Sequence, residues 1–136
     1  MINNINSSFY PISMGNPHAV IKLDSLDNID FTSIGIKLQQ SKSFPNSVNV
    51  GFLKVINKNE IALKVYERGS GLTLACGTGA CAAAIIAIQN GWVENPVRVH
   101  MDGGDLTIKW SDGQRATLIG PAQISFEGEF DLDNFK

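Results

Sequence analysis

Two cysteines, an aromatic content of 8% and no run of like charge remove several classes of protein from consideration for this 136-residue chain. Two thiols five positions apart do not form a disulfide framework, because on a continuous helix their Cα atoms would lie about 8.7 Å apart, beyond the ~7 Å that a bridge tolerates. Acidic residues number 13 against 11 basic ones, the net charge is −2, and Lys and Arg do not cluster. Neutralising phosphates takes such clusters, so nucleic acid is not an expected partner. The longest uninterrupted apolar run is Ala80 to Ile88, nine residues, far short of the ~20 that cross a bilayer. No membrane span is expected. The first fifteen residues have neither a basic segment nor a sustained apolar one, so they do not read as a secretory signal and the cytoplasm is the expected compartment.

What is present suits one domain. The length falls within the single-domain range and allows roughly two-thirds of the unfolded surface to be buried, without disulfides or metal. Segments rich in β-branched and aromatic residues recur at Phe9 to Ser13, His18 to Leu23, Val48 to Ile56, Ile61 to Glu67, Val97 to Met101, Leu106 to Trp110, Ala116 to Ile119 and Ala122 to Phe126. Several alternate between apolar and polar, as a sheet with one face on a core does. Asn57-Lys58-Asn59, Asp102-Gly103-Gly104 and Ser111-Asp112-Gly113 are turn sequences, which predict hairpins and antiparallel pairing.

Two helices interrupt the strands. Ile29 to Gln40 is amphipathic, with Asp27, Asn28 or Asp30 as candidate caps. Gly79 to Asn90 is apolar all round and stops at Gly91. A helix with no polar stripe must be enclosed. The expected fold is therefore α+β, a curved and mainly antiparallel sheet wrapped around one buried small-residue helix, with the other helix outside.

The stretch from Tyr66 to Cys81, Tyr-Glu-Arg-Gly-Ser-Gly-Leu-Thr-Leu-Ala-Cys-Gly-Thr-Gly-Ala-Cys, concentrates the unusual chemistry. A strand ends in Glu67 and Arg68, a glycine-rich loop follows, and Cys76-Gly77-Thr78-Gly79 runs into the apolar helix. The first N–H groups of a helix lack intrahelical partners and sit at the positive end of its dipole, so they can hold a carboxylate. A cysteine there has its thiolate favoured and becomes a usable base or nucleophile. The same string also reads as a tight turn with a Thr cap and a small buried cysteine. Cys81, among alanines, reads as packing. The spacing fits neither a phosphate loop nor a dinucleotide fingerprint. Upstream, Met14-Gly15-Asn16-Pro17-His18 is a rigid turn that releases His18 at the start of a strand, as an acid, a base or simply a solvent-facing side chain. Asn49 in an apolar strand marks either an amide that binds something or an edge bulge. His100 reads as strand-end polarity, and no metal-ligand spacing joins it to His18 or the cysteines.

Taken together, Met14-Gly15-Asn16-Pro17-His18-Ala19-Val20, Asn49-Val50-Gly51-Phe52 and the Glu67-Arg68-Gly69 to Cys81 string resemble the diaminopimelate epimerases in order and spacing, over nearly the whole chain. The resemblance implies a cofactor-independent isomerase that interconverts LL- and meso-diaminopimelate on the lysine and peptidoglycan route. It also implies a fold of two similar lobes, each with a sheet and a central helix. By the same resemblance, Cys76 is the thiol working on one face of the α-carbon, and Gly77 and Thr78 hold the α-carboxylate. Glu67 and Arg68 bind the reacting and distal ends, with Glu67 also influencing the thiol's proton. Asn16 and Asn49 grip the distal group, and His18 assists proton traffic near the catalytic centre. Leu72 departs from the family, which often has Glu there.

Inverting a carbon without a cofactor needs a group on each face of the substrate. Cys81 cannot be the second, since five helical residues displace it about 7.5 Å along the axis and roughly 140° around it. The family's second thiol lies in a Cys-Gly-Asn-Gly-type motif of an N-terminal lobe, and no such motif occurs here. The chain therefore reads, over residues 1–136, as the C-terminal lobe, expected to be inactive alone. Its expected partners are diaminopimelate, the missing N-terminal lobe and a second copy of the enzyme, with no metal or cofactor. The rival readings are another amino-acid racemase or isomerase of the same architecture, and a non-catalytic binding lobe.

Overall fold

The computed structural model of the chain describes residues 8–136. In chain order the elements are β1 (Phe9–Ser13), β2 (Pro17–Lys22), α1 (Phe31–Gln39), β3 (Asn49–Asn57), β4 (Glu60–Glu67), β5 (Gly71–Thr73), α2 (Gly77–Gln89), β6 (Val97–Met101), β7 (Gly104–Lys109), β8 (Thr117–Ile119) and a 3₁₀ turn, Leu132–Phe135. The strands form one curled mixed sheet in the order β1-β2-β3-β4-β6-β7-β8, with β5 beside β4. The domain is α+β.

The three turn sequences do make the hairpins β3–β4, β6–β7 and β7–β8, and β1–β2 and β4–β5 are antiparallel as well. Two pairs, β2–β3 and β4–β6, are parallel, which no turn sequence announces. Parallel neighbours need a long crossover. The segments that supply it are the ones carrying α1 and α2. β4 shares its second edge between two neighbours, β6 along Glu60–Ala62 and β5 along Val65–Glu67.

The faces of the sheet divide between the helices. Alternation along β2, β3 and β4 sends Ala19, Ile21, Val50 and Phe52 to α1, where they meet Ile34 and Leu38. It sends Val20, Leu53, Ile61, Leu63 and Val65 to α2. Asp30 caps α1, its carboxylate accepting from the Ser33 N–H and hydroxyl at 3.0 and 2.7 Å. Gly35 in α1 is required by packing, because a Cβ there would lie 2.5 Å from the Tyr66 ring.

In α2, every residue from Gly79 to Ala87 is buried, and the helix packs on β1, β2, β3, β4, β6 and β7. Ala80, Ala82, Ala83, Ala84 and Ala87 have no exposed surface. Small side chains let these six strands approach the helix closely, which a leucine-rich helix would prevent. The helix begins at Gly77, two residues earlier than its apolar pattern suggested, with Cys76 as the N-cap.

The expected strand Ala122 to Phe126 does not form. That segment is exposed and without regular structure, Ile124 being 81% and Phe126 85% exposed. Its apolar residues have strand propensity, but no sheet edge or core surface receives them, and propensity without a neighbour does not make a strand. The short strand β5, three residues long, is announced by no sequence pattern. Among the described residues, no helix is long and apolar enough to cross a membrane.

Overfilling the α2 seat tests this packing. Ala83→Leu should lower the unfolding free energy by about 1–3 kcal/mol, since extra methylenes in a close-packed core force neighbours aside. Gln89→Ala, at the exposed end of the same helix, should stay within about 0.5 kcal/mol. Urea titration of both variants measures the difference.

Candidate active site

Sheet register gathers three polar side chains into a row. The parallel pairing sets His18 opposite Asn49. The antiparallel pairing sets Val50 opposite Tyr66, so one step further Asn49 stands opposite Glu67. By the two-residue alternation, His18 shares the α2 face with Val20, Asn49 with Leu53, and Glu67 with Val65. The row therefore runs across β2, β3 and β4 on the α2 face, at the strand ends nearest the start of α2.

Cys76 stands at that helix start, 9% exposed. Its sulfur accepts from the Gly79 N–H at 3.3 Å and lies 3.7 Å from the Thr78 hydroxyl. The Ala80 N–H closes the first helical turn on the Cys76 carbonyl at 2.9 Å. Gly77 and Thr78, the first helical residues, have no intrahelical acceptor for their N–H groups and are exposed. The cap is thus the cysteine itself, not Thr78.

A hydrogen-bonded chain links this end of the helix to the row. Asn16 donates from Nδ2 to Thr78 Oγ1 at 3.4 Å, and its Oδ1 faces His18 Nε2 at 3.2 Å. In this amide orientation the Asn16 oxygen faces His18, an arrangement that pairs with the His18 tautomer protonated on Nε2. Thr78, accepting from Asn16, is free to donate toward the Cys76 sulfur. His18, Asn16, Thr78 and Cys76 form one continuous string.

Asn49 is 5% exposed and lies in a central strand, which removes the edge-bulge reading. Its Oδ1 accepts from the Arg68 N–H at 2.7 Å and its Nδ2 donates to the Pro17 carbonyl at 3.3 Å. The amide ties the start of β2 to the end of β4 and keeps one N–H uncommitted. Glu67 accepts from the Thr73 hydroxyl at 2.6 Å. Arg68 is exposed, donates to the Asn46 carbonyl at 3.2 Å, and makes no ion pair among the described residues. Its charge is available to a ligand. Two exposed leucines flank the helix start: Leu74, 69% exposed and two residues before Cys76, and Leu118, whose side chain lies against Gly77.

His18 does not face solvent; it is 2% exposed. Burial holds its imidazole below the ordinary value of 6.5, and the Glu67 carboxylate offsets part of that depression. His100, expected as simple strand-end polarity, is engaged: Nδ1 lies 2.9 Å from Asp105 and Nε2 3.7 Å from Glu60, away from the site. Cys81 is 7% exposed, close to the value for Cys76, so exposure alone does not rank the thiols. Surroundings do. Burial, and secondarily the neighbouring Cys76, push the Cys81 thiol up. Cys81 lines a cavity of about 460 Å³ with Ile12, Met14, Ile85, Trp110 and Arg115, none of which belongs to the row.

The expected site residues Asn16, His18, Asn49, Glu67, Arg68, Cys76, Gly77 and Thr78 thus converge at one end of the sheet. Thr73 was missed; its signal was a β-branched hydroxyl two residues beyond the Gly69-Ser70-Gly71 turn, in reach of the preceding strand's end.

Residues 10–125 match the profile of the family described as Diaminopimelate epimerase. The chain belongs to the diaminopimelate epimerase family. Similar relatives carry that name: one from Cupriavidus metallidurans is 47% identical over 96% of this chain and 46% of its own length, and one from Vesicomyosocius okutanii is 46% identical over 89% of this chain and 45% of its own. The chain spans about half the length of the curated relatives it matches. Among solved structures, a putative phenazine biosynthesis PhzC/PhzF protein from Clostridium difficile superposes with a TM-score of 0.59 at 16% identity, over 78% of this chain and 41% of that one. A PhzF-family protein from Enterococcus faecalis gives 0.55 at 19%, over 71% and 35%. These last two show a shared fold alone.

The environment of His18 has a consequence for pH. A depressed native value means that between it and 6.5 the unfolded chain binds a proton that the native chain does not, so stability should fall as pH drops below about 6.5 and show no contribution from His18 above it. Glu67→Gln removes the opposing charge and should move the His18 midpoint further down. Proton-detected titration of the His18 ring, with His100 resolved separately, reads both effects.

Proposed function

We propose that this chain is the C-terminal lobe of a diaminopimelate epimerase, contributing one of the two groups that invert the substrate's α-carbon in a cytoplasmic biosynthetic reaction. The observation that carries the reading is the placement of the Cys76 sulfur at the start of α2, beside the unpaired N–H groups of Gly77 and Thr78 and joined to His18 through Thr78 and Asn16. A carboxylate seated on those N–H groups sets its α-carbon beside the sulfur. The C–H bond then breaks toward a thiolate, the proton goes to sulfur, and the electron pair stays on carbon, delocalised into the carboxylate that the helix start holds. Reprotonation from the opposite face completes inversion.

Arg68, Asn16 and the free N–H of Asn49 bind the second amino-acid group of the substrate. That group is the feature separating diaminopimelate from substrates of simpler racemases. Glu67 and His18 set the local charge around the thiol. Asn16 and Thr78 must exchange their mutual hydrogen bond for bonds to substrate, a cost that is small for an exposed pair. The opposite face is supplied by an N-terminal lobe closing on the apolar rim of Leu74 and Leu118.

Deuterium exchange at the α-carbon of diaminopimelate tests this directly. The chain alone should show no exchange with inversion. With the complementary N-terminal lobe of a relative it should, and Cys76→Ala should reduce the rate by at least a thousandfold. Sustained epimerisation by the chain alone sinks the half-site reading. Mass-resolved alkylation of the folded chain should label Cys76 ahead of Cys81, whose thiol is held up by burial; preferential labelling of Cys81 reverses the assignment.

A further inference from the structure

We infer that Thr73 is a positioning residue that holds the Glu67 carboxylate in its working orientation, and that β5 serves to carry it. The inference rests on the reading of Glu67 as a site residue. Glu67 has three side-chain torsions and stands at the end of β4, where the strand gives way to a turn. Gly71 is its cross-strand partner, so no side chain directly opposite restrains it. Thr73, paired with Val65 on the same face, sits one diagonal step away. Its hydroxyl donates to Glu67 Oε1 at 2.6 Å, within the short range typical of hydroxyl-to-carboxylate bonds. A carboxylate cannot donate, so the direction is fixed. The bond occupies one oxygen and leaves Oε2 for the site.

The turn that makes this reach feasible is built for it. Gly69 and Gly71 take φ of +82° and +73°, which β-branched or bulky residues rarely adopt, and the Ser70 N–H returns to the Glu67 carbonyl at 3.4 Å. β5 is only three residues long and its first residue has no side chain. Thr73 is the β5 side chain that hydrogen-bonds to Glu67. A site side chain locked by a neighbouring hydrogen bond is what a precise catalytic geometry requires.

The test uses Thr73→Val, which keeps the branched shape and loses the donor, and Thr73→Ser, which keeps the donor. In the folded chain with ¹³C-labelled glutamate, side-chain couplings should report a single Glu67 rotamer in the native and Ser forms and an averaged one in the Val form. In the complex with the complementary lobe, Thr73→Val should lower kcat/KM by about tenfold and Thr73→Ser by no more than about twofold. Because the effect runs through Glu67, Thr73→Val should add nothing in a Glu67→Gln background. A fixed Glu67 rotamer in Thr73→Val, or an undiminished Thr73→Val effect on top of Glu67→Gln, overturns the proposal. If Glu67→Gln leaves turnover intact, the functional reading of Glu67 fails instead, and the rotamer measurement alone decides whether Thr73 positions it.

Discussion

An α-helix without a polar stripe can be stable only where protein covers it, and α2, buried without interruption from Gly79 to Ala87, packs on six strands of the curled sheet. Alanine is what makes this possible, since a helix clothed in larger side chains could not admit six strands at packing distance. The arrangement leaves the helix ends as the places where its backbone reaches solvent. At the N-terminal end, the peptide N–H groups that cannot pair within the helix are left at the rim of the sheet, and the residues that meet a ligand there are those at the ends of the adjoining strands. Fold and site are joined through this one burial.

The second constraint is register. A parallel pairing of β2 with β3 and an antiparallel pairing of β3 with β4 bring His18, Asn49 and Glu67 abreast although they are far apart in sequence. A one-residue slip of β3 would turn Asn49 toward α1 and put Val48 or Val50 in its place. Burying these polar groups carries a cost, and the structure meets it locally: Asn49 is satisfied by two backbone groups, Glu67 by Thr73, and His18 by Asn16. Asn49 in particular fastens three segments, the entry to β2, the body of β3 and the turn after β4. Substituting it would loosen the row as well as remove an amide.

Much of this was legible in the sequence because it is written in short-range pattern. Seven strand segments, both helices, a capping residue among Asp27, Asn28 and Asp30 and the hairpin turns follow from alternation, helical period and turn residues, and the resemblance to the family gathered the site residues by motif. What escaped did so for physical reasons. The parallel pairs depend on crossovers, whose outcome is decided by which faces α1 and α2 must cover. β5 is too short for any pattern and exists through its pairing with β4. Ala122 to Phe126 has strand composition but no partner edge, so the composition goes unexpressed. The bonded string from His18 to Cys76 is not legible in the sequence because motif roles assign Asn16 and Thr78 to a ligand, while in the structure they hydrogen-bond to each other.

The two cysteines show why such a site is one-sided. They share a helix and nearly equal exposure, yet their surroundings differ: Cys76 is linked to the row through Thr78 and Asn16, and Cys81 lines a mixed cavity bordered by β1 and by the approach to β8. In the proposed function, a substrate gripped by the start of α2 and by Arg68 presents one face of its α-carbon to Cys76. On the proposed function, the other face points away from the sheet, past the exposed Leu74 and Leu118. For a reaction that takes a proton from one side and returns it on the other, the proposed function puts the second group on a body docked on that surface. Docking would also exclude water from the thiol and strengthen every charge interaction in the row. On this reading, catalysis and lobe closure are one event, since the surface that completes the chemistry is the surface that buries the rim.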